Sequence, residues 1–435
     1  MLLAVLALAA SPALAQAPAA PWSPKAFVAA ALETSPEVEQ ARQVLASADA
    51  AYGADLFTAV LPSLSFSANA YPWGNNPGNG YAFNSWRLNR RETSVNAGLT
   101  WTLFNSFQDS LQARFSYQSR EIARRALDDV LQAQALKALQ GFHDLRLNDA
   151  LAGVARRDLE TQQAQYGLTQ DLYRHGMKSL SDLLKTETDW RSSELRLESA
   201  QAARKLSAFR FTELLARAPE EAVSLEAAVP PEASALPPLD EDLRRAAVER
   251  PDMARLRLEN DRTRTAFLQS VRGAAPSLSF AYQRNYQEYA SFGLPSSGFG
   301  IRNPNHYFAL NLSLPTGFNF GTQYEKVRGA RADRSASDAA RRALERTVRD
   351  DVYSARVALD AARRSYAVSA IKEDIAKRNL ELVTEQYRQG SADVIRLSQA
   401  QLDHVTAQVE RMRALHDADV SRAQYRKAVG EPLWR

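Results

Sequence analysis

The sequence contains no cysteine, which excludes disulfide bonds, thiolate metal ligands, cysteine nucleophiles and lipid attachment through an N-terminal cysteine. Its charges nearly cancel: 54 basic and 50 acidic side chains give a formal net charge of +4. Such a balance gives no sign of a nucleic-acid-binding surface. The five histidines form no metal-binding motif, and no nucleophile elbow or phosphate-binding loop is present. We therefore predict that the protein is not an enzyme and needs no cofactor or metal.

Long apolar runs are also missing from most of the chain. After Gln16 no stretch of eighteen apolar residues occurs, which excludes a membrane-spanning helix there. One shorter apolar run lies at residues 2–10, followed by small residues up to Ala15. This arrangement is typical of a secretory signal peptide, so we expect residues 1–15 to be removed before Gln16. The alternative is a buried N-terminal helix.

The chain contains an internal duplication. The motif Pro-Ser-Leu-Ser-Phe at residues 62–66 recurs at residues 276–280, and the turn motif Tyr-x-x-Gly at residues 173–176 recurs at residues 387–390. Both pairs are 214 positions apart, which predicts two copies of one structural unit.

A proline-rich connector separates the two copies. Residues 218–239 contain prolines at positions that neither a helix nor a central strand accepts. They are Pro219, Pro230, Pro231, Pro237 and Pro238. We therefore assign residues 16–217 to the first structural repeat and residues 240–435 to the second.

Two segments in each copy alternate apolar and polar residues, as β-strands with two different faces do. We predict four strands of about ten residues each, with connecting loops at residues 72–92 and 287–305 that are rich in Gly, Pro, Asn and Ser. The side chains that define the apolar face are Leu64, Phe66, Leu99, Trp101, Leu278, Phe280, Leu310 and Leu312.

This alternation is also what a transmembrane β-strand needs, because one face meets lipid while the backbone groups pair between strands. Aromatic residues near the strand ends favour that interpretation over a soluble, half-buried sheet. Four strands cannot close a barrel, and open edges cannot lie in lipid. Several chains must then share one barrel, with two copies supplying about eight strands or three supplying about twelve.

The rest of each copy has the apolar spacing of long helices. A helix at about residues 107–175 contains no proline and would be about 100 Å long at 1.5 Å per residue. Shorter return helices are predicted at about residues 180–217 and 394–429. Single helices at about residues 24–60 and 240–272 precede the strands.

Together these features resemble the TolC-like outer-membrane efflux protein family. The resemblance covers essentially all of the chain after residue 15. It rests on the duplicated order of two strands, a long helix and a return helix, and on the two Tyr-x-x-Gly turns. It implies a mixed α and β membrane protein with a homotrimeric, 12-stranded transmembrane β-barrel. This barrel would be continued by a long periplasmic α-helical, coiled-coil barrel. Each chain would give four strands and two long helical hairpins.

The resemblance also implies the function. The protein would be the outer-membrane exit duct of a tripartite efflux or type I secretion system. It would passively conduct substrates from an inner-membrane pump and a periplasmic adaptor to the exterior, with outer-membrane lipid around its barrel. The adaptor would dock at the hairpin tips, at Tyr173, Gly176, Tyr387 and Gly390. For the two glycines, simple helix capping is an equally good explanation.

The closed pore is where this sequence departs from the family pattern. In TolC, carboxylates six and nine residues after the second-copy glycine narrow the pore, but Arg396 and Gln399 occupy those positions here. The first copy has Asp182 and Lys185 instead. Our hypothesis is that Asp182 and Arg396 face each other and latch the closed tip. The alternative is ordinary solvent-exposed charges.

Two other protein classes share some of these features. A secreted coiled-coil scaffold would also have long helices, but its sheet would be soluble. A periplasmic adaptor would share the hairpins, but the duplicated, paired strands argue against it.

Overall fold

The computed structural model describes residues 21–74, 90–218, 223–227, 230, 235–291, 305–314 and 320–434. The predicted signal peptide, most of both interstrand loops and parts of the proline-rich connector lie outside these ranges. The described residues form eight helices and four strands, so the predicted mixture of long helices and a small sheet is confirmed.

The helices include two of exceptional length. None of the described helices is both long enough and apolar enough to cross a membrane. Helix α3 (Gln108–Arg174) has 67 residues and helix α7 (Phe320–Arg388) has 69 residues, and each is followed by a shorter return helix. The helices are α1 (Pro24–Thr34), α2 (Pro36–Val60), α3 (Gln108–Arg174), α4 (Leu180–Leu214), α5 (Leu239–Glu249), α6 (Pro251–Arg272), α7 (Phe320–Arg388) and α8 (Val394–Val429).

The prediction of one helix ahead of the strands in each copy was wrong, because each is two helices. The breaks fall at Ser35, before Pro36, and at Arg250, before Pro251. Proline has no N–H to donate, and its ring pushes the preceding residue out of the helical region. Accordingly, Ser35 and Arg250 have extended ψ angles of 121° and 126°.

The four strands form one antiparallel sheet. They are β1 (Ser63–Gly74), β2 (Arg90–Phe104), β3 (Ser277–Ser291) and β4 (Asn305–Ser313), in the order β1-β2-β3-β4. Pairing between β2 and β3 joins the two copies of the duplication. Three of the strands are longer than the predicted ten residues, since they continue into the segments assigned to loops.

The chain divides into two compact units, and each unit takes residues from both predicted repeats. One unit contains the sheet and comprises Gln40–Leu127 and Pro251–Arg346. The other comprises the described residues up to Glu39 together with Asp128–Arg250 and Thr347–Arg435. We call the first the sheet unit and the second the hairpin unit, because the second contains both helical turns.

An aromatic cluster forms part of the core of the hairpin unit. Phe27, Phe142 and Phe211 are fully buried. The rings of Phe27 and Phe211 stack with their centres 4.0 Å apart, and Trp22 packs edge-on against both. Burying each large side chain contributes about 1.5–3 kcal/mol. The cluster therefore fixes α1 against α3 and α4.

A buried carboxylate connects three helices of the same unit. Asp242 of α5 is fully buried. Its Oδ2 lies 2.9 Å from Nη1 of Arg356, and its Oδ1 accepts a 2.8 Å hydrogen bond from the hydroxyl of Tyr425. Burial and the hydrogen bond to Asp242 raise the pKa of Tyr425 to about 12. The phenol therefore remains a donor at any ordinary pH, and the network holds α5 to α7 and α8.

Replacing Asp242 by alanine should destabilise the protein by about 3–5 kcal/mol, because Arg356 would lose its buried partner. Asp240→Ala is the matched control, since Asp240 lies in the same first helical turn but is exposed. Circular dichroism recorded during thermal unfolding in detergent gives the melting temperature of each variant. Equal melting temperatures for the two variants would contradict the assigned role of Asp242.

Candidate functional site

Each hairpin turns on a glycine with a left-handed backbone. We call α3 and α4 the first hairpin and α7 and α8 the second. In the first, Gly176 has φ +72°, and its N–H donates to the Tyr173 carbonyl at 2.9 Å. The N–H of Met177 donates to the Leu172 carbonyl at 2.9 Å. This pair of hydrogen bonds is a Schellman cap, which satisfies carbonyl groups that the end of a helix leaves unpaired.

The second hairpin repeats this cap. Gly390 has φ +77°, its N–H donates to the Tyr387 carbonyl at 3.1 Å, and the N–H of Ser391 donates to the Gln386 carbonyl at 2.9 Å. A Cβ added at either hairpin glycine would meet nothing within 4 Å. The positive φ angle alone therefore accounts for glycine at both turns.

The two motif tyrosines occupy different environments. The side chain of Tyr387 is buried, and its hydroxyl lies 3.2 Å from Thr169 Oγ1 on α3. The ammonium of Lys178 lies 4.3 Å from the centre of its ring. Tyr173, by contrast, is 40% exposed. Tyr387 thus anchors the second hairpin to the first, and Tyr173 makes no equivalent anchor.

The two hairpin ends also differ in how they bury apolar side chains. The second hairpin has its own core of Val383, Tyr387, Ala392, Val394, Leu397 and Ala400. In the first hairpin Met177, Leu180 and Leu184 are each more than half exposed in the single chain. We call these three side chains the exposed tip patch.

The predicted gate residues are brought together only in part. Asp182 lies in the first turn of α4, where its carboxylate accepts from the Ser179 N–H at 3.2 Å and its own N–H donates to Ser179 Oγ at 3.1 Å. This capping box explains an acid at that position. Arg396 is exposed, and within the described part of one chain its side chain makes neither a hydrogen bond nor an ion pair with Asp182. Gln399 donates to Asp403 on its own helix at 2.7 Å.

Lys185 is the predicted gate residue that joins the two hairpins. Its ammonium lies 2.7 Å from Asp189 Oδ2 and 3.2 Å from Ser398 Oγ on α8. Ser398 donates to the same Asp189 oxygen at 2.8 Å. Sequence reasoning missed Asp189 and Ser398, although the i,i+4 spacing of Lys185 and Asp189 is a signal for an ion pair.

Cross-strand pairing brings the predicted apolar side chains to one face of the sheet. In antiparallel strands, residues directly opposite each other share a face, as do residues two apart along a strand. We call residues that lie opposite each other on successive strands a row. Phe66 follows Leu64 by two positions on β1 and so lies on the same face. The apolar rows are Leu64, Leu99 and Tyr282; Trp101, Phe280 and Leu310; and Leu278 with Leu312. The eight predicted residues therefore form one continuous surface.

The opposite face of the sheet is polar and closely packed. Ser65 lies opposite Gly98, and Gly98 lies opposite Gln283. A Cβ added at Gly98 would come within 2.7 Å of Ser65 Oγ. Glycine at this position therefore leaves room for the polar neighbours on that face.

Two basic residues lie on the apolar face, in the row that contains Phe66. Arg284 lies opposite Ala97, and His306 lies opposite Arg284, one row beyond Tyr282. The apolar surface therefore ends at this row on one side of the sheet.

Comparison with known proteins agrees with this architecture. The chain matches the family described as outer membrane efflux protein over residues 27–217 and 243–431. No match was found among curated proteins. The fold is similar to that of the outer-membrane channel OprN, with 18% identity, a TM-score of 0.78 and coverage of 95% of this chain and 91% of OprN.

Two further solved structures share the fold. The open-state MtrE outer membrane channel of Neisseria gonorrhoeae has 19% identity and a TM-score of 0.76, over 94% of this chain and 89% of MtrE. The outer membrane protein VceC of Vibrio cholerae has 15% identity and a TM-score of 0.76, over 94% of this chain and 96% of VceC. Because the family match covers most of both halves, the chain belongs to the outer membrane efflux protein family, whose members are outer-membrane channels rather than enzymes.

Proposed function

We propose that this protein is the outer-membrane exit duct of a tripartite efflux or type I secretion system. Substrates reach it from an inner-membrane pump through a periplasmic adaptor, and it conducts them passively to the exterior. The observation that carries the proposal is the sheet, in which one face has an apolar band bounded by Arg284 and His306 and the other face is polar. Such a sheet separates lipid from a water-filled lumen.

Pairing of the strand edges supports an oligomer. Among the described residues β1 pairs only with β2, and β4 pairs only with β3. Unpaired backbone groups are costly in lipid, so both edges need strands from other copies of the chain. Three copies, as the family resemblance implies, supply twelve strands and close a barrel.

The helices offer a second surface for another copy. On α7, Val368, Ile371, Ile375 and Leu382 are each more than half exposed in the single chain. Their spacing of three, four and seven residues is that of a coiled-coil seam. A neighbouring chain packed along this seam would bury side chains that one chain leaves in water.

The hairpin ends are the proposed site of adaptor docking and gating. The exposed tip patch of Met177, Leu180 and Leu184 offers the adaptor an apolar contact. Within one chain, Lys185, Asp189 and Ser398 link α4 to α8 and hold the hairpins together. Between neighbouring chains, Arg396 pairs with Asp182, which completes a closed ring of charge-assisted contacts.

Leu310→Arg should reduce outer-membrane assembly strongly, because an arginine at the bilayer mid-plane costs about 2–4 kcal/mol. Asn311→Arg is the matched control, since it lies next along β4 but on the polar face. The measurement is the amount of protein extracted from the outer-membrane fraction. Equal recovery of both variants, or recovery of both from the soluble periplasm, would contradict a lipid-facing sheet and favour a secreted scaffold.

Asp189→Asn should weaken the closed hairpin ends and raise the resting conductance of the channel in planar bilayers, because Lys185 loses its charged partner. Asp403→Asn changes an acid whose hydrogen bond, within the described part of the chain, is to Gln399 of its own helix, and it should leave conductance unchanged. If the two variants conduct equally, the link from α4 to α8 has no part in closure.

Arg396→Ala and Asp182→Asn should each raise conductance, and the double variant should add little to either, because both break one contact. Asparagine at position 182 keeps a side-chain acceptor for the helix cap. Bilayer conductance and the vancomycin sensitivity of cells measure the effect. Unchanged values in Arg396→Ala, or additive effects in the double variant, would exclude this pair.

A further inference from the structure

A cavity of about 470 Å³ lies within the hairpin unit, away from the hairpin ends. The first turn of α1, the middle of α3 and the last turns of α8 form its walls. Its size is in the range of small-molecule sites. Its chemistry is set by Lys25, His143, Arg146, Asp419, Arg422 and Arg426.

Cationic groups outnumber carboxylates in the cavity lining. Lys25, Arg146, Arg422 and Arg426 face only two acids, Glu226 and Asp419. Arg146 is engaged by Asp419, and Arg426 lies 3.0 Å from the carboxylate of Glu431. Lys25 and Arg422 make neither a hydrogen bond nor an ion pair with any described residue. The lining therefore has two cationic side chains without a direct partner among the described residues, of which Arg422 also acts on Asp419 through its charge, and one such carboxylate, Glu226.

His143 supplies a neutral donor to the same cavity. The residue is 8% exposed, and Nη2 of Arg146 lies 2.9 Å from its Nδ1. A guanidinium can only donate, so Nδ1 is the acceptor and the ring proton lies on Nε2. Burial, together with the charge of Arg146, lowers the pKa of His143 to about 3, so the ring stays neutral. Its Nε2–H makes no hydrogen bond with any described residue.

The N-terminus of α1 adds a third favourable feature. Ser23 Oγ accepts from the N–H of Ala26 at 3.2 Å, whereas the N–H of Lys25 belongs to the group that a helix leaves unpaired at its start. The helix dipole places partial positive charge at this end. The backbone at the start of α1 and the cationic side chains of the lining therefore both favour the binding of an anion.

Most of the remaining lining is apolar and includes Val28, Leu139, Ala423 and Leu433. A bare inorganic ion would leave this part of the cavity unfilled. We propose that the cavity binds a small organic phosphate monoester, with the phosphate held by Lys25, Arg422 and His143 Nε2 and the organic part against the apolar wall. Phosphate oxygens can accept charge-assisted hydrogen bonds from both of these cations at once.

Isothermal titration calorimetry of the full-length protein in a neutral detergent tests this assignment with glycerol 3-phosphate as the probe. We expect binding by the wild type, and at least tenfold weaker binding by Arg422→Gln. Arg413→Gln, also exposed on α8 but outside the cavity, should bind like the wild type. Inorganic phosphate should bind more weakly than glycerol 3-phosphate, and glycerol should not bind.

Three results would overturn the proposal: no binding by the wild type, equal affinity for inorganic phosphate, or equal loss in the two arginine variants. A second titration in mixed micelles containing phosphatidic acid identifies the source of the phosphate. Complete competition by the micelles would show that the cavity takes a lipid headgroup. Binding that persists would show that it takes the free molecule. Both results support a phosphate monoester site.

Discussion

Backbone hydrogen bonding at the sheet edges is the constraint on which the rest of this structure depends. A lipid layer offers no water to unpaired N–H and carbonyl groups, so every strand that faces lipid must have a neighbour on both sides. The described part of one chain supplies four strands, and within it both edges of the sheet have no further strand partner. An oligomer follows from this requirement, the family resemblance implies three copies, and the exposed apolar seam on α7 gives the helices the same need for neighbouring copies.

Duplication in the sequence has not produced two equal halves. Both hairpins turn through the same glycine cap, because a left-handed residue is the simplest way to end a long helix. The tyrosines three residues earlier have diverged, so that Tyr387 anchors one hairpin to the other while Tyr173 remains partly in water. The second hairpin end therefore has a buried tyrosine in its core, whereas the exposed tip patch lies on the first.

Sequence periodicity predicted what depends on local rules. Strand faces followed from strict alternation, and the long helices followed from heptad spacing with no interrupting proline. The breaks at Ser35 and Arg250 could have been predicted, since a proline follows each. They were missed because the apolar pattern continues across both prolines. The contacts of Lys185 with Ser398 and of Asp242 with Tyr425 join distant parts of the chain. No pattern within one segment reports such contacts, which is why the sequence did not yield them.

The central claim is that several chains share one lipid-embedded duct. Its most direct test is the mass of the complex extracted in mild detergent from the outer-membrane fraction, combined with conductance after insertion into a planar bilayer. The account predicts a complex of three chains that conducts ions. A protein that is soluble in the periplasm and silent in bilayers would contradict it, whatever its oligomeric state, because the apolar face of the sheet would then not meet lipid.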